Sequence, residues 1–240
     1  MTSFQTIRAR AEKRKGGAEA LAKLMPPAPD PKALRKLRDD RVLAEMTKRV
    51  FSAGFAWSVI ESKWPSFEEA FLRFEPSRLA FEPDEFWHRL TMDARIVRNG
   101  AKIASVRENA RFVLDVAKAH GSFGRFLSTW PPSDEVALLE LLAKRGSRLG
   151  GASGQMLLRF LGYDAFVATK DVAACLRGAG LDIAEAPTSK RDLVKIQEQF
   201  NAWAKETGLP YRRLSIICAM SIGENYEGDR YGRDVIGSQV

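Results

Sequence analysis

Apolar residues recur at helical spacing along most of this chain. Leu34, Leu37, Val42, Leu43 and Met46 begin the pattern, and Phe51, Phe55, Val59 and Ile60 continue it. Trp64-Pro65-Ser66 predicts a break, with Ser66 and Glu69 forming a capping box for the helix that follows. Pro83 marks a helix start that carries Phe86, Trp87 and Leu90 on one face. After the Asn99-Gly100 turn, Ile103, Val106, Ala110, Val113, Leu114 and Ala117 line one side of a helix predicted over 101–119. Pro131-Pro132-Ser133 opens another, with Asp134 and Glu135 in its first turn. Met156, Leu157, Phe160 and Leu161 precede Gly162, which suits a helix end. Val172, Cys175 and Leu176 mark a short helix, and Leu193 to Lys205 and Tyr211 to Ile222 mark two more. No segment alternates with a period of two. The expected fold is all-α, with about ten helices and no internal repeat.

The two ends differ from the middle. Thr2 to Leu24 reads as a basic, weakly amphipathic helix, suited equally to a DNA-facing arm or to a solvated surface. Pro26, Pro27, Pro29 and Pro31 stiffen the segment after it. From Glu224 onward the chain is rich in Gly, Asp and Arg, and a loose tail is expected. The expected layout is a basic helix and linker over 1–31, a helical domain over 32–223 and a tail over 224–240.

Charge narrows the partner. The 240 residues carry a formal net charge of +8, which favours a polyanion and a nucleic acid in particular. No apolar run reaches the length of a membrane span, and no apolar stretch follows the N-terminal basic residues, so a cytoplasmic protein with no membrane partner is expected. Cys175 and Cys218 lie among apolar neighbours and read as small core residues. His88 and His120 do not pair with them at zinc-finger spacing. No metal site and no cofactor are expected.

The segment Lys144-Arg145-Gly146-Ser147-Arg148-Leu149-Gly150-Gly151 joins two apolar helical stretches. Its glycines permit a tight turn and close approach by a partner, and the helix after it offers unpaired backbone amides that suit a phosphate. Leu149, Gly150, Gly151, Ser153 and Gly154 are the candidate donors, with Lys144, Arg145 and Arg148 neutralising neighbouring phosphates. Arg98, Asn99 and Lys102 form a candidate second contact. The competing reading is an ordinary corner between two helices with a glycine cap.

Four motifs in order resemble the 3-methyladenine DNA glycosylase I family of the helix-hairpin-helix glycosylase superfamily. Ala53-Gly54-Phe55-Ala56-Trp57 is similar to its AGLSW-type motif, and Phe71-Leu72-Arg73-Phe74-Glu75-Pro76 to its F-x-x-F-[DE]-P. Ile96 to Ile103 with Asn109-Ala110-Arg111 is similar to I-[IV]-R-[HN]-x-x-K-I and N-A-R, and Lys144 to Gly151 to K-R-G-x-[KR]-x-x-G. The resemblance spans about Leu43 to Leu161 and implies a helix-hairpin-helix glycosylase-like fold and a double-stranded DNA partner. It also departs from the family. The carboxylate that the family carries just before AGLSW is missing from Lys48-Arg49-Val50-Phe51-Ser52, and its Cys/His zinc ligands near both chain ends are missing too.

Under that resemblance the expected function is excision of alkylated purines such as 3-methyladenine, by base flipping and hydrolysis without a lyase step, by a monomer. Extruding a base costs a few kcal/mol, and Trp57 is the candidate stacking partner that offsets it; an indole face would further favour a cationic base. Its alternative role is core. Asp171 is the candidate catalytic carboxylate by chain position, or else a helix cap. Glu45 is a second candidate, or else a solvated helix residue. Two other functions remain open: a DNA-binding protein that has lost catalysis and senses lesions or abasic sites, and a basic helical adaptor for a protein or RNA.

Overall fold

A computed structural model describes residues 2–222. Among them are fourteen α-helices, two short 3-10 turns and no strand. In chain order the helices are α1 (Phe4–Lys15), α2 (Ala18–Lys23), α3 (Pro31–Arg35), α4 (Asp39–Ser52), α5 (Trp57–Ala70), α6 (Pro76–Leu79) and α7 (Asp84–Met92). They continue with α8 (Gly100–His120), α9 (Phe123–Thr129), α10 (Glu135–Arg145), α11 (Ala152–Phe160), α12 (Lys170–Gly178), α13 (Lys190–Thr207) and α14 (Tyr211–Ile222). The expected all-α architecture is what the chain forms, and the segment from Glu224 onward lies outside the described residues. No described helix is long and apolar enough to cross a membrane.

The chain divides into two compact units. Of the described residues, one comprises 2–30, Pro131–Ala137 and 158–222; the other comprises Pro31–Trp130 and Leu138–Leu157.

In the first unit α14 is the centre, packed by α1 and by α12. Phe4, Ile7 and Ala11 of α1 and Leu21 of α2 are buried in one cluster with Leu176, Phe200, Trp203 and Ile217. The basic N-terminal segment is therefore not a free arm: its four apolar positions fix it, and Arg8, Lys13 and Lys23 are exposed. Arg10 reaches inward to hydrogen-bond Ser221 at 3.2 Å, and Arg14 donates to the Met220 carbonyl at 3.2 Å. Cys175 and Cys218 are both buried and free, as small core residues.

In the second unit α4 lies along α8, with α6 also on α8 and α3 on α9. Val42, Leu43, Met46 and Val50 bury one stripe of α4, and Ile103, Val106, Ala110 and Val113 do so for α8. Asp39, in the first turn of α4, accepts the Phe123 amide that opens α9 at 2.8 Å. Gly124 lets α9 approach α3: a Cβ there would stand 2.5 Å from the Leu34 carbonyl oxygen.

The expected break at Trp64-Pro65-Ser66 does not occur, because α5 runs through Pro65. Proline inside a helix costs about 3 kcal/mol, and side-chain packing outweighs it here. Trp64 stacks on Phe67 at 5.5 Å and on Phe74 at 5.4 Å, and Phe67 and Phe71 extend the ladder. Trp64 also donates to Glu68 at 3.2 Å. The ladder closes over a strained turn in which Leu72, Arg73 and Phe74 all have positive φ, between 51° and 60°.

Candidate nucleic-acid interface

The second unit builds a loop and a hairpin side by side. The loop is Ala53–Ala56, between α4 and α5. Gly54 turns it at φ 78° with nothing near its missing Cβ, so the backbone there is open to an incoming group. Lys102 of α8 holds the loop from below. Its Nζ donates to the Phe51 carbonyl at 3.2 Å and to the Ala53 carbonyl at 2.7 Å, and it lies 4.6 Å from the Phe55 ring centre. The residue is only 7% exposed. Burial lowers its pKa, and the nearby Arg148 charge lowers it further. Lys102 was expected on the phosphate-facing surface; its ammonium is instead consumed by two carbonyls that the turn leaves without helical partners. Asn99 likewise spends its side chain on the helix, accepting the Lys102 amide at 3.0 Å as the cap of α8. Arg98 is exposed.

The hairpin is anchored on the same helix as this loop, seven residues further along α8. The hairpin is fixed by Asn109, buried on α8. Its Oδ1 accepts the Ser147 amide at 2.8 Å and its Nδ2 donates to the Ser147 carbonyl at 3.1 Å. A Cβ on Gly146 would strike Leu149 Cδ1 at 2.6 Å and the Leu142 carbonyl at 2.8 Å, so the turn admits only glycine there. Leu149 is the buried plug of the hairpin. Arg148 adopts φ 62°, a costly conformation for a branchless but bulky residue, which turns its side chain outward. Gly151 has φ 58° and open space around its missing Cβ. Gly154 differs: a Cβ there would meet the Leu149 carbonyl at 2.5 Å, so it serves packing of the turn. Lys144, Arg145, Arg148, Gly150 and Gly151 are exposed and Ser153 is partly so. Arg145 is drawn to Asp115 at 3.3 Å and lies over the Phe112 ring at 5.1 Å.

Beside the loop, Phe55, Trp57 and Val59 form an exposed apolar group. Trp57, the first residue of α5, is 43% exposed, so it is not core. One face of its indole is already covered: the Arg49 guanidinium sits 4.2 Å from the ring centre. Arg49 in turn pairs with Glu45 at 2.6 Å, the two side chains being 3% and 18% exposed. Glu45 is thus neither a solvated helix position nor a free carboxylate. Arg49 and Asn109 are the residues that sequence reasoning missed as site components. Asn109 stood inside a quoted motif, and Glu45 and Arg49 stand four apart on one helix, the spacing of a helical ion pair.

The methyladenine glycosylase family model matches residues 34–140. Over that span, less than half of the chain, the sequence is similar to that family. The enzyme class that goes with this family is DNA N-glycosylase. Among solved structures, the chain is similar to 3-methyladenine DNA glycosylase I from Staphylococcus aureus, at 23% identity over 63% of this chain and 85% of that one, with a TM-score of 0.47. A variant of 3-methyladenine DNA glycosylase I in complex with 3-methyladenine is 26% identical over 67% of this chain and 86% of that one, with a TM-score of 0.44. The 8-oxoguanine glycosylase/lyase of Methanocaldococcus jannaschii, in complex with a DNA 15mer, is 13% identical over 89% of this chain and 95% of that one, with a TM-score of 0.50. That last likeness is one of fold, the helix-hairpin-helix glycosylase-like arrangement. No curated protein matches the chain.

The glycosylase-like stretch holds Trp57, Glu45, Arg98, Asn99 and Lys102 but ends before the hairpin. Asp171 belongs to the other unit, in the first turn of α12. The cap of α12 is Thr169, whose hydroxyl accepts the Val172 amide at 3.3 Å, so Asp171 does not serve as the cap. Among the described residues no group of three or more His, Cys, Asp or Glu is placed to hold a metal ion. A shallow cleft of about 360 Å³ beside Arg38, Asp39 and Glu75 includes none of the expected site residues.

Proposed function

We propose that this protein is a DNA glycosylase of the 3-methyladenine kind, a monomer that grips duplex DNA through the Lys144–Gly151 hairpin. It extrudes an alkylated purine to stack on Trp57 and hydrolyses the N-glycosidic bond without a lyase step. The observation that carries this reading is the joint anchoring of loop and hairpin on α8: Lys102 holds Ala53 and Asn109, seven residues along the same helix, holds Ser147. An exposed aromatic group and an exposed basic turn are thereby kept at a fixed spacing. Extrusion costs a few kcal/mol, and base–aromatic stacking of roughly 1–3 kcal/mol offsets much of it. Lys144, Arg145 and Arg148 hold the backbone and do not read sequence. Glu45, in the unit that carries Trp57, is the carboxylate proposed to support the developing sugar cation or to orient water.

The test is release of free base from methylated duplex DNA. Release that is lost on Trp57→Ala while nonspecific binding persists supports the reading; no release at high enzyme concentration removes it. A second reading, a lesion or abasic-site sensor without catalysis, is favoured by the engagement of Glu45 with Arg49. It requires tight, salt-sensitive binding to abasic-analogue duplex in the absence of any base release.

A further inference from the structure

The first unit holds two thiols that base excision does not use. Cys175 of α12 and Cys218 of α14 are both fully buried, and the two helices pack directly on each other. Apolar packing accounts for a buried cysteine by itself. It does not account for the polar groups gathered here. The Arg10 guanidinium, reaching in from α1, lies 3.7 Å from Cys175 Sγ and donates to the Ser221 hydroxyl at 3.2 Å. That hydroxyl stands 3.3 Å from Cys175 Sγ and 2.8 Å from the Cys218 carbonyl oxygen. The Cys218 thiol also donates to Cys175. A cation, a hydroxyl and a second thiol thus converge on one sulfur.

Each of these groups favours the thiolate of Cys175. The hydrogen bond from Cys218 lowers its pKa most, against the opposing effect of burial, and Ser221 and Arg10 lower it further. Cys218 moves the other way: burial raises its pKa well above the ordinary thiol range, and the contact with Cys175 raises it more. The pair is therefore asymmetric, with the proton held on Cys218 and negative charge directed to Cys175. That is the division between an attacking sulfur and a resolving one.

We propose that Cys175 and Cys218 form a reversible oxidation site, in which a hydroperoxide converts the two thiols into a disulfide that fastens α12 to α14. The Cys175 thiolate attacks one peroxide oxygen. The S–O bond forms as the O–O bond breaks, and the other oxygen takes a proton and leaves as water or an alcohol. Cys218 then gives up its proton, and its sulfur attacks Cys175. The S–S bond forms, the S–O bond breaks, and water leaves. The two sulfurs lose two electrons in all, and the peroxide gains them. A dithiol reductant reverses the change by exchange. The side chain that contacts Cys175 Sγ belongs to an exposed residue, Arg10, so its swing toward solvent opens a path for a small oxidant. This inference stands apart from base excision.

The experiment treats the full, folded chain with hydrogen peroxide, then reads its intact mass and counts thiols with a maleimide after denaturation. The expected product is a single chain that has lost two hydrogens and takes up no maleimide until a dithiol restores both thiols. Cys218→Ser is expected to stop at an oxygen adduct on Cys175, and Cys175→Ser to leave Cys218 a thiol. Arg10→Gln is expected to slow disulfide formation about fivefold, by reducing the thiolate fraction, and Arg10→Lys to recover most of the rate. Two free thiols after peroxide, oxygen added without a cross-link, or a disulfide between two chains each overturns the inference. So does a disulfide that forms only in denaturant. A rate unchanged in Arg10→Gln, or one not recovered in Arg10→Lys, overturns the part assigned to Arg10. If Arg10→Gln does not fold, the wild-type mass and the two cysteine variants decide the question by themselves. Release of bases from DNA, or its absence, moves none of these readings.

Discussion

Asn109 holds Ser147 by both of its backbone polar groups, accepting from the amide at 2.8 Å and donating to the carbonyl at 3.1 Å. A single buried side chain on α8 thereby sets the height of the basic hairpin relative to the loop that Lys102 secures. Replacing Asn109 by Ala leaves both Ser147 groups unpaired. The expected cost is about 2 kcal/mol of stability, from two hydrogen bonds of about 1 kcal/mol each. Denaturant unfolding measures it. DNA affinity, measured well below the melting temperature, falls as well, because the exposed arginines lose their fixed spacing.

The hairpin charges should be visible in the salt dependence of binding. Each phosphate neutralised contributes about 0.9 to the slope of log affinity against log salt. Arg148→Ala is expected to reduce that slope by about 1, uniformly across DNA sequences. Arg145→Ala should reduce it less, since Arg145 is already shared with Asp115 and the Phe112 ring. Titrations at several salt concentrations, with both variants on two unrelated duplexes, check this.

Two glycines three residues apart, Gly151 and Gly154, are expected to fail differently. Gly154→Ala places a Cβ 2.5 Å from the Leu149 carbonyl, so it lowers the melting temperature, with DNA binding following stability. Gly151→Val meets nothing inside the protein, although its φ of 58° imposes some strain. Its main effect is expected on DNA affinity, with helix content by circular dichroism unchanged. Equal losses of affinity per degree of melting temperature in the two variants would contradict the division of labour.

Stability should depend on pH through Glu135. Complete burial pushes its pKa well above the usual carboxylate range, against the opposing hydrogen bond from the Phe166 amide. The folded state thus holds the proton more tightly than the unfolded state does. The stabilisation is complete below the unfolded pKa and is lost as pH rises through the folded one. Glu135→Gln removes a titrating group but keeps an acceptor for Phe166. Its unfolding free energy is expected to decline less steeply than that of the wild type as pH rises above the usual carboxylate range. Parallel pH profiles for the two proteins would refute this.

Much of the fold was legible in the residue pattern. The spacing of Ile103, Val106, Ala110 and Val113 gave α8, and Tyr211 to Ile222 is α14 to the residue. Pro65 does not break α5 because packing outweighs the local rule: the turn at Leu72–Phe74 folds Phe74 back onto Trp64 and completes the aromatic ladder with Phe67 and Phe71. The basic N-terminal helix was legible as a helix, but the burial of Phe4, Ile7 and Ala11 depends on α14, some two hundred residues away.

The candidate site divides the same way. Order along the chain determined that an exposed aromatic motif, a helix opening and a glycine hairpin exist, because turns and helix ends are written in local residue types. Only tertiary structure decided what the charged side chains do. A lysine looks the same in sequence whether its ammonium meets phosphate or carbonyl; Lys102 is turned inward because the loop at Ala53 leaves acceptors beside it. Glu45 and Arg49 pair on one helix by spacing, but their coupling to Trp57 exists because α4 and α5 are folded against each other, and electrostatics acts through that distance and not through sequence order.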